Sequence, residues 1–333
     1  MLAPVAWRTP PRHYGPWELV TSLLTEGLVA RGVDVTLFAT LDSVTTAELR
    51  GTSPHGYAED PAMDGRIAEA LHVSNVLAHS ADFDLVHNQL DWLPLAFSQH
   101  CAIPMVTTIH GFSGAEILPA YRQGRSAYVA ISNSDRSSEL DYIATIHHGI
   151  DLEALPFNAF PGAGLVAFGR IHPDKGTAEA IRIARAAGRK LVLCGIVQDE
   201  RYFAEQVQPH VDGDRVQFLG SVGPEQRAEV LGSAAVLLHP IAFDEPFGLS
   251  VIEAFGCGTP VVAYRRGSMA EVIDDGVTGF AVQGFAEAVA AVDKAVDLDR
   301  AGVRKRAEER FGVDTMVESY LRVYRQLIDS RPD

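Results

Sequence analysis

The stretch that decides the fold is residues 239–280, HPIAFDEPFGLSVIEAFGCGTPVVAYRRGSMAEVIDDGVTGF. The apolar run 235–238 stops at the start of this stretch, and the polar turn that follows leads into a short helix. A strand that ends at a glycine-containing loop and a helix start brings unpaired backbone N–H groups and a positive dipole end into the same space. The pattern therefore predicts an anion-binding turn between a strand and a helix.

Two carboxylates flank this turn, Glu245 before the glycine and Glu253 inside the helix, with seven residues between them. A phosphate would repel an acidic side chain, so the expected targets of these two groups are hydroxyls, which donate hydrogen bonds to a carboxylate. A diphosphate surrounded by hydroxyls indicates a nucleotide sugar.

The run EPFGLSVIE followed by AFGCGTPVV resembles the E-x7-E signature of the retaining glycosyltransferases of family 4. The resemblance implies that Glu253 holds the ribose hydroxyls and that Glu245 holds hydroxyls of the donor sugar. It implies that the backbone near Gly248, Leu249 and Ser250 meets the diphosphate. It also implies the GT-B architecture over nearly the whole chain, in which two doubly wound, Rossmann-like α/β domains face one another across a cleft.

A second turn carries two cations and two glycines, in the run GRIHPDKG that follows the predicted strand 165–168. Gly169 lets the backbone approach a diphosphate closely, while Arg170 and Lys175 neutralise the charge that grows on a leaving group without a metal ion. The run matches the family's G-R-x4-K-G element and precedes the E-x7-E motif by about seventy residues. We therefore expect a metal-independent diphosphate site.

The first half of the chain reads as parallel-sheet βαβ units, whose strand-end loops line the ligand crevice. Gly15 lies in the first of these loops, where the family carries paired glycines near the donor phosphate; this sequence has Tyr-Gly-Pro instead. His110, in the run Thr-Ile-His-Gly, looks like the family histidine that reaches the donor sugar.

The strand 216–222 resembles the family's F-x-G-x-V element, which borders the nucleobase. The resemblance therefore adds Phe218 and Val222 to the expected donor-binding residues.

A proline-containing linker at 152–164 indicates two domains. We expect an acceptor-side domain over 1–158 and a nucleotide-sugar domain over 159–312, and the resemblance implies that a helix at 313–330 packs back on the first domain. Residues 162–167 match a dinucleotide-binding fingerprint, but the match precedes a strand, whereas the true fingerprint follows one. We therefore predict no nicotinamide site.

Composition excludes several partners. The 333 residues carry a net charge of −15, and residues 1–155 hold 8 Arg and no Lys against 18 acids, a balance that repels nucleic acid and anionic membranes. No apolar run is long enough to span a membrane, no export signal is evident, and the three cysteines lack metal-ligand spacing. A cytoplasmic protein is expected.

The sequence thus predicts a hexosyltransferase-type enzyme that moves a sugar, with retention, from a nucleotide diphosphate sugar to a hydroxyl acceptor that is neutral or soluble. No cofactor beyond the donor is expected. Three alternatives stay open: a paired-carboxylate glycoside hydrolase, a nucleotide-sugar epimerase, and a non-catalytic sugar-nucleotide sensor. The motifs address the diphosphate and the ribose, and leave the base, the sugar, the acceptor and the oligomeric state open.

Overall fold

The structure is a computed structural model and describes residues 1–111 and 114–330. Contacts divide the chain into two compact units: unit 1 comprises Met1–Gly149 and the chain from Val313 onward, and unit 2 comprises Ile150–Gly312. The predicted boundary at 158 therefore lies inside unit 2. Residues 150–158 belong there because the Ile150 N–H donates to the Phe311 carbonyl and the Arg300 guanidinium donates to the Asn158 carbonyl.

The strands of unit 1 are all parallel and form a two-stranded and a four-stranded sheet, in the orders β1-β2 and β3-β4-β5-β6. Leu2 forms bridges with both Phe38 and Asn88, so a single residue near the N-terminus joins the two sheets. The strands are β1 Thr36–Phe38, β2 Glu48–Arg50, β3 Val86–Asn88, β4 Met105–Ile109, β5 Ala127–Ala130 and β6 Tyr142–Thr145.

The helices of unit 1 are α1 Pro16–Val29, α2 Gly65–Ala78, α3 Leu93–Phe97, α4 Leu118–Gln123 and α12 Val313–Asp329. The last of these packs against α1 although nearly 300 residues separate them in the chain. Its buried residues recur at helical spacing, which places them on one stripe of the helix surface: Met316, Val317, Tyr320, Val323 and Tyr324.

Unit 2 contains one six-stranded parallel sheet in the order β12-β11-β10-β7-β8-β9. Its strands are β7 Leu165–Phe168, β8 Leu191–Cys194, β9 Val216–Gly220, β10 Val236–His239, β11 Val261–Tyr264 and β12 Gly279–Val282. Its helices are α5 Thr177–Ala186, α6 Glu200–Tyr202, α7 Pro224–Ser233, α8 Leu249–Gly256, α9 Met269–Val272, α10 Phe285–Val296 and α11 Arg300–Phe311.

The strand order of unit 2 reverses between β7 and β10, which lie side by side. From β7 the chain proceeds outward through β8 and β9, and from β10 it proceeds in the opposite direction through β11 and β12. In open parallel sheets, ligands bind outside the carboxyl ends of the strands at such a switch point. Both sequence motifs singled out above directly follow these two strands.

Each unit has its own apolar core, built on Leu165, Leu193 and Val236 in unit 2 and on Phe38, Ile109 and Tyr121 in unit 1. The predicted fold class, two Rossmann-like α/β units, is confirmed. Within the two described ranges, none of the helices combines the length and the apolar character that crossing a bilayer requires.

Candidate active site

The switch point of unit 2 joins the two motifs through one ion pair. Lys175, at the end of the turn after β7, donates a 2.6 Å hydrogen bond from Nζ to Oε2 of Glu245, in the loop after β10. His239, the last residue of β10, places Nε2 3.3 Å from the same oxygen, without the alignment of a hydrogen bond. Lys175 and Glu245, seventy positions apart in the chain, therefore form one ion pair.

The carboxyl group of Glu245 stays ionised in this setting. The residue is only 8% exposed, and burial by itself raises its pKa. The contacts with His239 and Lys175 outweigh burial and lower the pKa from 4.5 to about 2. The Lys175 ammonium also lies 4.5 Å from the centre of the Phe243 ring. Glu245 is thus a fixed acceptor of hydrogen bonds at neutral pH.

Close backbone approaches hold the two loops together. Gly176 has φ +67°, and a Cβ there would lie 2.0 Å from the carbonyl oxygen of Pro240, so glycine is required after Lys175. A Cβ added to Gly267 would likewise lie 2.3 Å from the carbonyl oxygen of Glu245. The next residue, Ser268, donates its backbone N–H to that carbonyl. The geometry of the loop is therefore set by backbone contacts from two other segments.

The N-terminus of α8, which follows this loop, has backbone N–H groups available to a ligand. Gly248 has φ +89° and precedes α8, so it makes the left-handed turn that the chain needs at this point. Among the residues that the structure describes, no side chain caps α8, and no partner is found for the N–H of Leu249 or Ser250. This leaves two donors and the positive end of the helix dipole beside the Glu245 loop, as an anion site requires.

Glu253, the second acid of the motif, is buried in α8 and pairs with Arg227 of α7 at 2.9 Å. The Arg227 guanidinium also lies 5.1 Å from the centre of the Phe168 ring, at the end of β7. The arginine engages Oε1 of the carboxylate. Arg227 thus fixes the orientation of Glu253.

Of the other predicted donor-binding residues of unit 2, Gly169 and Arg170 follow β7 and Val222 follows β9, whereas Phe218 lies within β9. Arg170 donates to the side-chain oxygen of Gln198. Phe218 packs against Phe203 at 5.0 Å between ring centres, and Val222 is buried.

Gly15 and His110, the two predicted residues of unit 1, lie at the carboxyl side of its sheet. Gly15 has φ +148° directly before α1, and a Cβ there would lie 2.8 Å from Cβ of Pro11 and 2.9 Å from a carboxylate oxygen of Glu18. Glycine is therefore explained at this position by its backbone conformation and by packing.

His110 follows β4 and is buried, with both ring nitrogens near protein groups. Nε2 lies 2.6 Å from Oε1 of Gln89, and Nδ1 lies 3.4 Å from Nε2 of His148. The ring stacks on Trp17 of α1, with 5.1 Å between ring centres. Burial, and secondarily the electrostatic effect of the neighbouring His87, lower the pKa of His110 to about 3, so this imidazole is neutral at physiological pH.

Sequence reasoning missed four residues that shape these sites: His239, Arg227, Ser268 and Gln89. His239 carried a signal, because a histidine at a strand end beside an acidic loop is a plausible partner for the acid. Arg227 and Gln89 carried none, since an arginine on an amphipathic helix and a glutamine after a strand are ordinary residues in those positions.

Comparison with known proteins places this geometry in a class. Residues 163–310 match the model of the glycosyl transferases group 1, and residues 18–154 match that of glycosyltransferase family 4. Glycogen synthase of Mycobacterium tuberculosis (strain CDC 1551 / Oshkosh) is 30% identical over 284 residues, and the match covers 72% of this chain and 68% of the relative. D-inositol 3-phosphate glycosyltransferase of Mycolicibacterium smegmatis is 28% identical over 221 residues, 58% of this chain and 50% of the relative.

Solved structures agree in fold. AviGT4, a glycosyltransferase involved in avilamycin A biosynthesis, superimposes with a TM-score of 0.78 at 25% identity, covering 99% of this chain and 97% of its own. HepE of Anabaena, solved with UDP-glucose, gives a TM-score of 0.74 at 19% identity over 95% of this chain and 97% of its own. The fold and the site define a GT-B glycosyltransferase. The chain belongs to glycosyltransferase family 4.

Proposed function

We propose that this glycosyltransferase moves a sugar from a nucleotide diphosphate sugar to a hydroxyl acceptor, with retention of configuration and without a metal ion. The observation that carries the proposal is the switch point of unit 2. There the uncapped start of α8 lies beside a carboxylate, Glu245, that is ionised and fixed by Lys175. Backbone donors for a diphosphate and a carboxylate acceptor for sugar hydroxyls thus occur in one loop.

The donor class also finds support in Glu253, whose buried carboxylate is oriented by Arg227. A carboxylate in this setting accepts hydrogen bonds from hydroxyls and repels phosphate, which suits the ribose of a nucleotide. HepE, a fold neighbour, has been solved with UDP-glucose, and this makes UDP-glucose the first donor to test.

A paired-carboxylate hydrolase is less well supported by the charges of the site. Such an enzyme needs one carboxylic acid whose pKa is raised, so that it can protonate the leaving group. Here the pKa of Glu245 is lowered to about 2, and Glu253 is held by an arginine. Glu245 is therefore not suited to act as the general acid at neutral pH.

The placement of charge supports the proposed metal independence. Arg170 and Lys175 lie in the turn after β7, where they can neutralise a departing diphosphate. The sequence contains three Asp-x-Asp pairs, at 82/84, 212/214 and 297/299, but none follows the carboxyl end of a strand. Asp212 and Asp299 instead accept backbone N–H groups of a turn and a helix start. Retention is proposed from the resemblance to the retaining glycosyltransferases of family 4. Glu245, whose pKa is lowered to about 2, is a poor base for deprotonating the acceptor hydroxyl in a direct inversion.

The test begins with binding. The thermal midpoint of the protein is measured with UDP, GDP, ADP and dTDP in the presence of EDTA, for the wild type and for Arg170→Ala. A ligand that binds only the folded state raises the midpoint. We expect one nucleotide to raise it for the wild type and Arg170→Ala to reduce the shift, while the exposed Arg201→Ala, elsewhere in unit 2, keeps it.

Turnover is then followed with the sugar of the nucleotide that binds, over a panel of neutral hydroxyl acceptors, and the anomeric configuration of the product is read by NMR. A product of inverted configuration, or turnover that EDTA abolishes, contradicts the corresponding part of the proposal. If no nucleotide raises the thermal midpoint, the proposal of a diphosphate-binding site is wrong.

A further inference from the structure

A chain of buried hydrogen bonds in unit 1 leads from α12 to His110. Tyr324 places its hydroxyl 2.6 Å from Nδ1 of His87, and Nε2 of His87 lies 3.1 Å from the amide nitrogen of Gln89. The amide oxygen of Gln89 lies 2.6 Å from Nε2 of His110. Gln89 is fully buried, and the other three residues are at most 8% exposed.

The two ends of the Gln89 amide determine where the ring protons lie. Its oxygen only accepts, so His110 must donate from Nε2, and its NH2 group only donates, so Nε2 of His87 must accept. The hydroxyl of Thr108, 2.8 Å from the same His87 nitrogen, is consistent with this because it can donate as well. The proton of His87 then lies on Nδ1 and is donated to Tyr324.

Both rings carry a single proton, since burial lowers the pKa of His110 to about 3 and that of His87 well below its ordinary value. A neutral imidazole has two tautomers, and the partners of its nitrogens select one of them. An amide that is turned over would reverse both rings at once, because each nitrogen it faces would exchange the role of donor and acceptor.

We propose that Gln89 is a positioning residue that fixes the ring proton of His110 on Nε2 and leaves Nδ1 as the hydrogen-bond acceptor, and that Tyr324 of α12 determines this choice through His87. Nδ1 of His110 could then accept a hydrogen bond from a hydroxyl of a donor sugar, and this part of the inference rests on the proposed function. In the structure, Nε2 of His148 lies 3.4 Å from Nδ1 of His110. The tautomers themselves do not depend on any substrate.

The tautomers are measured on protein labelled with ¹⁵N in histidine, using long-range ¹H–¹⁵N spectra. The signals are assigned by the contacts of His110 with the Trp17 ring and of His87 with the Tyr324 ring. We expect His110 to carry its proton on Nε2 and His87 on Nδ1. The opposite pattern in the wild type overturns the proposal, and this measurement stands even if a variant fails to fold.

Tyr324→Phe removes the acceptor of the His87 proton. A buried N–H without a partner is costly, so both histidines should shift together towards the opposite tautomers by roughly tenfold in population. Tyr128→Phe is the matched control, because it removes a buried hydroxyl of the same unit that donates to the Tyr121 carbonyl and touches neither ring. If Tyr324→Phe lowers stability and leaves both tautomers unchanged, the tyrosine is only structural and the proposal is wrong.

Gln89→Leu separates this proposal from the proposed function. The tautomer of His110 should become mixed whether or not the protein turns over UDP-glucose, and an unchanged tautomer overturns the proposal. Where turnover is observed, the same variant should change the kinetic constants for the donor. Failure of turnover in the wild type would count against the proposed function alone.

Discussion

The contacts of Glu245 with His239 and Lys175 should together contribute measurably to the stability of unit 2. Glu245→Gln keeps the shape of the side chain and removes its charge. The pKa of Glu245 falls from 4.5 to about 2 on folding, which corresponds to a contribution of roughly 3 kcal/mol at neutral pH. Removing one partner of a buried pair typically costs about 3–5 kcal/mol, so the two estimates agree.

The pH dependence provides the sharper test of the same variant. The folded pKa of Glu245 lies below the unfolded one, so its contribution is complete above about pH 4.5 and is lost as the pH falls towards 2. The difference in unfolding free energy between the wild type and Glu245→Gln should therefore be roughly 3 kcal/mol at pH 7 and about half of that at pH 3.

The assay is urea unfolding followed by far-UV circular dichroism at both pH values. All three tryptophans, Trp7, Trp17 and Trp92, lie in unit 1, so fluorescence reports that unit separately. Glu225→Gln, an exposed acid at the start of α7, is the control and should change stability by less than about 0.5 kcal/mol. Equal stability of Glu245→Gln and the wild type at pH 7 would refute the reasoning.

Three further outcomes are expected. Gly176→Ala should destabilise the protein by about 3 kcal/mol more than Gly188→Ala in urea unfolding, because both glycines have φ +67° but only the first would place a Cβ against a backbone oxygen; equal losses would exclude the clash. Arg300→Met should cost about 3 kcal/mol by the same measurement, since it strands buried carbonyl oxygens that the guanidinium now satisfies, and a neutral result would show that the carbonyls find other partners. Burial raises the pKa of Glu18 from 4.5 to about 7, so stability should fall as the pH rises from about 4.5 through 7, and Glu18→Gln should remove this fall; a parallel pH profile of the two proteins would contradict it.

The sequence predicted much of the unit 2 site because its motifs are local. The turn after β7 and the turn after β10 each combine glycine with charge over a few residues, and their family resemblance points to Lys175 and Glu245. Their pairing could not be predicted from spacing, because two loops that leave different strands meet only when the sheet places those strands side by side.

The boundary between the two units, in contrast, could not be located from local sequence patterns. The prolines and small residues of 152–164 have the composition of a linker, but the carbonyl groups of Asn158 and Leu155 accept hydrogen bonds from the distant Arg300 and Arg304. Composition reports where a chain lacks periodicity, and it carries no information on which distant groups satisfy its backbone.

By itself, the sequence determined the class of fold, the family, and the two turns that offer backbone donors and charges to an anion. These features depend on short-range patterns of apolar periodicity, glycine and helix start, which the chain spells out locally. Only the tertiary structure decided that Lys175 neutralises Glu245, that Arg227 orients Glu253, and that Tyr324 is connected to His110 through two buried side chains. Such partners are chosen by the packing of elements far apart in sequence, where burial makes an unpaired charge or polar group too costly to leave unmatched.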